Sequence, residues 1–281
     1  MLAILSACTE SRSTVSPPPT STTTVTTESL PSTTAVPSTE TTSPPDACPE
    51  GDVMVADGRL LQFVRPNADA TRIAGVTWRT SGDCLTVTVT FSTDDGAPAT
   101  TPPPLTARVL RSAGVLRVDT EATSSVVVDQ LLEEDLVERL FVPVDAEEFR
   151  FVDLVLNGPI VARARALTSP ARLEIELQAG GPDEIGSPLM SSELVVIEPV
   201  SSADAEPILD IAGYSTGELE TLMMTVLRGE TVVTDLEVLL EPEPNLWKAF
   251  NVTLPVGDAP YDNLRITTDD ESVVAGIPIT G

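Results

Sequence analysis

The chain reads as a mainly β protein: two β-sandwich domains carried behind a disordered Ser/Thr/Pro-rich linker. Three observations predict this. Apolar and polar residues alternate with period two over many short runs. Gly, Pro and Asn close those runs at short intervals. The stretch ahead of them, residues 9–46, has no residues that could form an apolar face.

In the first folded region, residues 47–178, Leu85, Val87, Val89 and Phe91 point one way while Thr86, Thr88, Thr90 and Ser92 point the other. That is the pattern of a half-buried strand. Residues 108–118 read as a hairpin turning at Ser112-Ala113-Gly114. Phe149, Phe151, Leu154 and Leu156 mark a strand that Asn157-Gly158-Pro159 ends. Two more follow at 161–167 and 173–177, separated by Thr168-Ser169-Pro170. In the last, Leu173, Ile175 and Leu177 alternate with Glu174 and Glu176, which are expected to be solvated. The exception is 129–140, where Leu132, Leu136 and Leu140 recur every four residues behind a capping Asp129, which predicts one short helix.

Residues 179–190, opening with Ala179-Gly180-Gly181-Pro182 and containing Pro188, read as a linker between domains. Seven short strands follow within 191–281, at 194–197, 208–213, 219–227, 231–240, 247–254, 264–267 and 273–279. Arg228-Gly229-Glu230 is a tight turn between two of them. Short strands at this spacing, with no helical stretch, predict an immunoglobulin-like β-sandwich.

At the other end, Met1 to Ser6 are mostly apolar, and Leu5-Ser6-Ala7-Cys8 resembles the lipobox of bacterial lipoproteins. The resemblance implies small residues for a signal peptidase and a Cys8 thiol that carries lipid. The apolar run is shorter than the basic segment plus about 7–15 apolar residues of a signal peptide, which leaves the true start open. Fully extended at roughly 3.1 Å per residue, the linker would span ~120 Å, and as a coil about 35 Å. With Cys8 lipidated, Cys48 and Cys84 remain as an even pair with no CxxC motif, which predicts a disulfide and an oxidising compartment.

Composition narrows the function. Forty-three acidic residues against 16 basic ones give a net charge of -27, and Lys248 is the single lysine. Such a surface repels phosphate backbones, so no nucleic-acid partner is expected. The 281 residues include no histidine, which removes the commonest general base and the commonest metal ligand. Neither a metal nor a cofactor is expected, and the chain is read as non-enzymatic. From Asp183 onward, 19 acidic residues face 3 basic ones, a local net of -16.

Two family resemblances rest on particular residues. Residues 152–156, Ala164-Arg165-Ala166-Leu167 and the stretch from Ser169-Pro170-Ala171-Arg172 to Leu177 are similar to the closing strands of the AMIN-like domain of actinobacterial envelope proteins. That resemblance covers about 130 residues and implies targeting to cell-wall glycan. Ile197-Glu198-Pro199, the strand ending in Gly213, and Trp247-Lys248-Ala249-Phe250 leading to Leu254-Pro255 resemble the immunoglobulin-like domain associated with bacterial spore-germination proteins. It implies a binding or spacer module without catalytic residues.

Some acidic clusters invite sharper readings. Asp94-Asp95-Gly96 and Asp269-Asp270-Glu271 offer carboxylates but lack the alternate spacing of a calcium loop, and are read as solvated turns. Glu133-Glu134-Asp135 is read as a solvated helix face rather than as paired catalytic acids. Trp247 and Phe250, three apart on a strand, face opposite sides, so one of them packs in the core. The expectation is a lipoprotein held at the outer side of the cell membrane that binds a cell-wall glycan or an envelope protein. The alternatives are an accessory subunit whose acidic immunoglobulin-like domain docks a basic protein, and a histidine-free glycosidase. The last needs two carboxylates about 5–10 Å apart in a cleft.

Overall fold

The structure, a computed structural model, describes residues 48, 53–123, 129–132, 134–144, 149–190, 194–202, 208–217, 219–240, 246–257, 260–268 and 273–278. Cys8, the Ser/Thr/Pro-rich stretch and Glu133 lie outside the described residues. Ser43–Gly281 forms one compact unit, and among its described residues there is no α-helix.

The first ten strands are β1 (Gly58–Phe63), β2 (Arg72–Ser81), β3 (Cys84–Ser92), β4 (Leu105–Leu110), β5 (Val115–Thr120), β6 (Asp129–Leu131), β7 (Val137–Phe141), β8 (Phe151–Leu156), β9 (Ile160–Leu167) and β10 (Arg172–Ala179). They form a six-stranded sheet, β1-β4-β5-β8-β7-β6, and a four-stranded sheet, β2-β3-β10-β9. The alternation in β3 is as expected: Leu85, Val87, Val89 and Phe91 are buried, and Thr86, Thr88 and Thr90 are half-buried on the far side. The apolar phases of both sheets meet in one core, with Leu173, Ile175 and Leu177 from one side and Leu116, Val118 and Leu154 from the other. Each such fully buried side chain contributes about 1.5–3 kcal/mol relative to exposure. The β4–β5 hairpin turns at Arg111–Ala113, and Gly114 supplies the left-handed residue (φ 63°).

The remaining strands are β11 (Leu189–Met190), β12 (Leu194–Ser202), β13 (Ile208–Thr216), β14 (Thr221–Arg228), β15 (Thr231–Leu239), β16 (Trp247–Pro255), β17 (Asn263–Thr268) and β18 (Val273–Pro278). They form two four-stranded sheets, β11-β12-β13-β16 and β15-β14-β17-β18, whose facing residues, among them Leu209, Ile211, Met224 and Ile266, share a second core. All seven strands expected in this half are present. Gly229 (φ 59°) makes the β14–β15 turn, and its amide donates to the Asp262 carboxylate at 2.9 Å.

The helix expected over 129–140 is instead the antiparallel pair β6–β7. Asp129 does not cap; its carboxylate accepts two hydrogen bonds from the Arg139 guanidinium at 2.7 and 2.6 Å. The chain reverses between Leu131 and Val137, so Leu132 and Leu140 come from opposite arms of a hairpin that returns them to one core, as one face of a helix would. Leu132 and Leu140 are buried in the first core, and Leu136 packs against it.

The stretch read as a linker is tightly engaged. The Gly186 amide donates to the Arg111 carbonyl at 2.9 Å, and a Cβ on Gly186 would sit 1.5 Å from the Ser112 carbonyl oxygen. Nearby, a third cluster joins the two halves: Val115, Phe141, Phe151 and Val155 from the six-stranded sheet meet Val195, Ile197, Tyr214 and Trp247 from the β11–β16 sheet. Phe141 lies 5.0 Å from Trp247 and 5.1 Å from Tyr214, ring centre to ring centre, and Phe151 lies 6.0 Å from Tyr214. Such pairs contribute about 0.5–1.5 kcal/mol each beyond area burial. The backbone continues the junction, because the Val144 amide donates to the Trp247 carbonyl and the Ala249 amide to the Val144 carbonyl, both at 2.7 Å.

Candidate functional site: an open groove beside the aromatic junction

In β4, β5 and β8 the residues Ala107, Val118 and Leu154 fill the first core, so their neighbours project from the opposite face of the sheet. Part of that face is covered by the aromatic junction. The rest is an open groove made of two hollows that share Thr106. One, about 320 Å³, is walled by Val64, Leu105, Asp119, Glu121, Phe149 and Arg150. The other, about 290 Å³, is walled by Arg59, Gln62, Arg108 and Leu110.

The groove's polar groups are held in place by pairing. Arg59 donates to the Gln62 amide oxygen at 2.5 Å, and Arg108 lies 3.2 Å from Asp119. At the seam with the junction, Arg117 donates through Nε and a terminal nitrogen to the two Asp153 oxygens at 2.8 and 2.6 Å. Its guanidinium carbon sits 4.4 Å from the Phe151 ring centre. Burial works against the Arg117 charge, yet the Asp153 carboxylate holds its proton more firmly than in a free arginine. Tyr214, fully buried against this pair, has its hydroxyl pKa raised well above the usual phenol value, first by burial and then by the Asp153 charge. These groups clamp the seam between the two pairs of sheets.

The acidic clusters divide differently. Asp94 accepts from Thr71 Oγ1 at 2.7 Å and lies 3.6 Å from Arg72, tying its loop to the start of β2, while Asp95 accepts from the Thr93 hydroxyl within its own loop. Glu134 accepts from Thr80 Oγ1 at 2.8 Å and lines, with Asp83 and Asp135, a hollow of about 210 Å³ that has no aromatic wall. Asp269-Asp270-Glu271 lies outside the described residues. Among the described residues no acid or cysteine cluster has a metal-holding arrangement. Glu176 corrects the expectation of a solvated carboxylate: it is 3% exposed and is bonded by Arg163 and by Arg165, the latter at 2.5 Å. It sits in an interior strand, between Thr86 on β3 and Arg163 on β9, and those arginine side chains cover it.

Cys48 and Cys84 are joined as a disulfide with their Cα atoms 5.1 Å apart, which fastens the start of the folded part to the first residue of β3. Trp247 and Phe250 do face opposite sides. Trp247 enters the junction, while Phe250 packs against the second core, over Gly213, where an added Cβ would meet the ring at 2.6 Å. Sequence reasoning did not find the groove or the Arg117–Asp153 clamp. The signal was available in β8, where every residue including Asp153 is buried, because an uninterrupted buried strand is covered on both faces.

The chain matches no family model, no curated protein and no solved structure.

Proposed function

We propose that the protein is a non-enzymatic envelope lipoprotein, tethered to the cell membrane through Cys8 and a Ser/Thr/Pro-rich spacer. In this reading it is built of an AMIN-like β-sandwich and an immunoglobulin-like one, and it binds cell-wall glycan. The observation that carries the binding reading is the groove around Thr106. It offers guanidinium, amide and hydroxyl groups for a polyhydroxylated, partly anionic ligand, in a chain whose overall charge is strongly negative. The Arg59–Gln62 and Arg108–Asp119 pairs hold its donors in place before a ligand arrives. The disulfide fits a life outside the reducing cytoplasm.

Retention of residues 46–281 on purified cell wall tests this. Thr106→Trp would obstruct both hollows from an outward-facing position, and retention is expected to weaken about tenfold, equivalent to about 1.4 kcal/mol, with the melting temperature unchanged. Retention that is the same in Thr106→Trp and the parent, or absent in both, would count against the groove as a glycan site. Retention should also survive raised salt, since hydrogen bonds and stacking are screened far less than exposed charge pairs.

A further inference from the structure

We infer that β15 is a docking edge for an extended polypeptide segment in which cationic and apolar residues alternate. This goes beyond the glycan-binding reading and does not depend on it.

Among the described residues β15 pairs with β14 alone, so one of its two hydrogen-bonding edges has no described strand partner along its nine residues. Six large apolar residues remain exposed among the described residues, and three of them, Val232, Leu236 and Leu239, lie on this strand, with exposures of 54%, 38% and 79%. Natural edges are usually blunted by proline, extreme shortness, bulges or charged side chains, and of these β15 carries the charges of Asp235 and Glu237, which ask for a partner of opposite sign. β18, at the opposite edge of the same sheet, ends in Pro278, and β11 is two residues long. β15 has neither device, and the one register shift in its pairing with β14 lies near the turn.

The two faces of β15 differ in chemistry. Leu236 and Val238 pair with Met224 and Leu222, so they lie on the core side, and Leu236 sits at an uncovered rim. Asp235 and Glu237 are exposed on the other side. A strand added here would meet Leu236 at the core-side rim on one face and, on the other, the carboxylates Asp235 and Glu237 flanked by Val232 and Leu239. That selects a segment whose alternate residues are apolar and cationic. The described residues from Leu219 to Leu240 reinforce the choice, with Glu220, Glu230, Asp235 and Glu237 against Arg228 alone.

A second copy of this chain fits poorly. Asp235 is the midpoint of Thr231–Leu239, so the two-fold antiparallel register that pairs all nine residues would set Asp235 opposite Asp235, and like charges directly opposite destabilise a sheet.

The test uses the full chain, a nine-residue peptide alternating lysine and valine, and the matching glutamate–valine peptide, with amide hydrogen exchange as the readout. The lysine peptide should slow exchange in β15 and leave β18 and β2 unchanged, and raised salt should reduce this protection. Asp235→Asn should weaken binding about two- to fivefold, the range of one exposed charge pair. Asp235→Lys should reverse the preference toward the glutamate peptide, and because the position is exposed, far-UV circular dichroism should match the parent. Equal binding of both peptides, protection at another edge, or no protection of β15 up to the solubility limit of the peptide would overturn the proposal. So would sedimentation showing that the chain self-associates through β15, which would give the edge to a second copy.

Discussion

Asp153 shows how far a single side chain's role depends on what covers it. In sequence it is one acid inside a strand pattern; in the fold it is completely buried and doubly bonded to Arg117. Removing one partner of such a pair leaves the other buried without compensation, at a cost of about 3–5 kcal/mol. Asp153→Asn should therefore lower the melting temperature in a thermal scan, whereas a catalytic acid would instead lose turnover with its stability intact. Asp69 acts on a smaller scale. It accepts from the Thr100 and Thr101 amides, and these bonds, the Thr100 amide's first, hold its pKa below the ordinary carboxylate value. A lowered pKa in the folded state means that the stabilisation is present above the unfolded value, about 4, and is lost as the pH falls through the lower folded one. In acid titrations of stability, Asp69→Asn should flatten the decline below about pH 4 and leave the neutral value slightly reduced.

At the level of elements, the disulfide and the Gly186 contact each lend themselves to measurement. Cys48→Ser with Cys84→Ser opens a loop of 36 residues and should cost about 3–4 kcal/mol in chemical denaturation. Gly186→Ala forces its Cβ into the Ser112 carbonyl, so the 179–190 segment must lift away from the β4–β5 turn. Hydrogen exchange at the Gly186 amide should then accelerate while the second core stays protected. Most strands were legible because each half-buried run keeps its phase and a turn residue such as Gly229 ends it. β2 was hidden because its pairing slips between Ile73 and Gly75, so Ile73, Val76 and Trp78 break the period of two. The β6–β7 pair departs from the helical reading because a hairpin turning at Glu134–Leu136 returns leucines four apart to one core, which a helix face would also do. The groove was illegible for a different reason: it depends on where the second pair of sheets stops covering the first, and no local pattern encodes that boundary.

For the whole molecule, the junction matters more than either half. Phe141, Phe151, Tyr214 and Trp247 draw two pairs of sheets together around a buried ion pair. Trp247→Ala should therefore lower the stability of both halves at once, read as a single shifted transition rather than two. The proposed anchoring through Cys8 is independent of the junction. If Cys8 carries two acyl chains, each buried methylene adds about 0.8 kcal/mol of membrane attachment. Expressed in a bacterial host, the protein should incorporate a fatty-acid label and sediment with membranes, and Cys8→Ser should abolish both. A Cys8→Ser protein that still labels would rule out the lipid anchor.

The disulfide also sets where tension would enter the fold. A pull transmitted along the chain from its amino-terminal side reaches Cys48 and crosses directly to Cys84, bypassing β1 and β2. The load then falls on β3, which is hydrogen-bonded to β2 on one side and β10 on the other, so yielding means shearing two ladders together. The 36 residues of the loop stay slack and add no length until the bond is reduced. In single-molecule stretching, reduction should lengthen the fully unfolded chain by about 120–130 Å, at about 3.3–3.6 Å per residue. An oxidised chain that already reaches the longer contour would show that tension does not take this path.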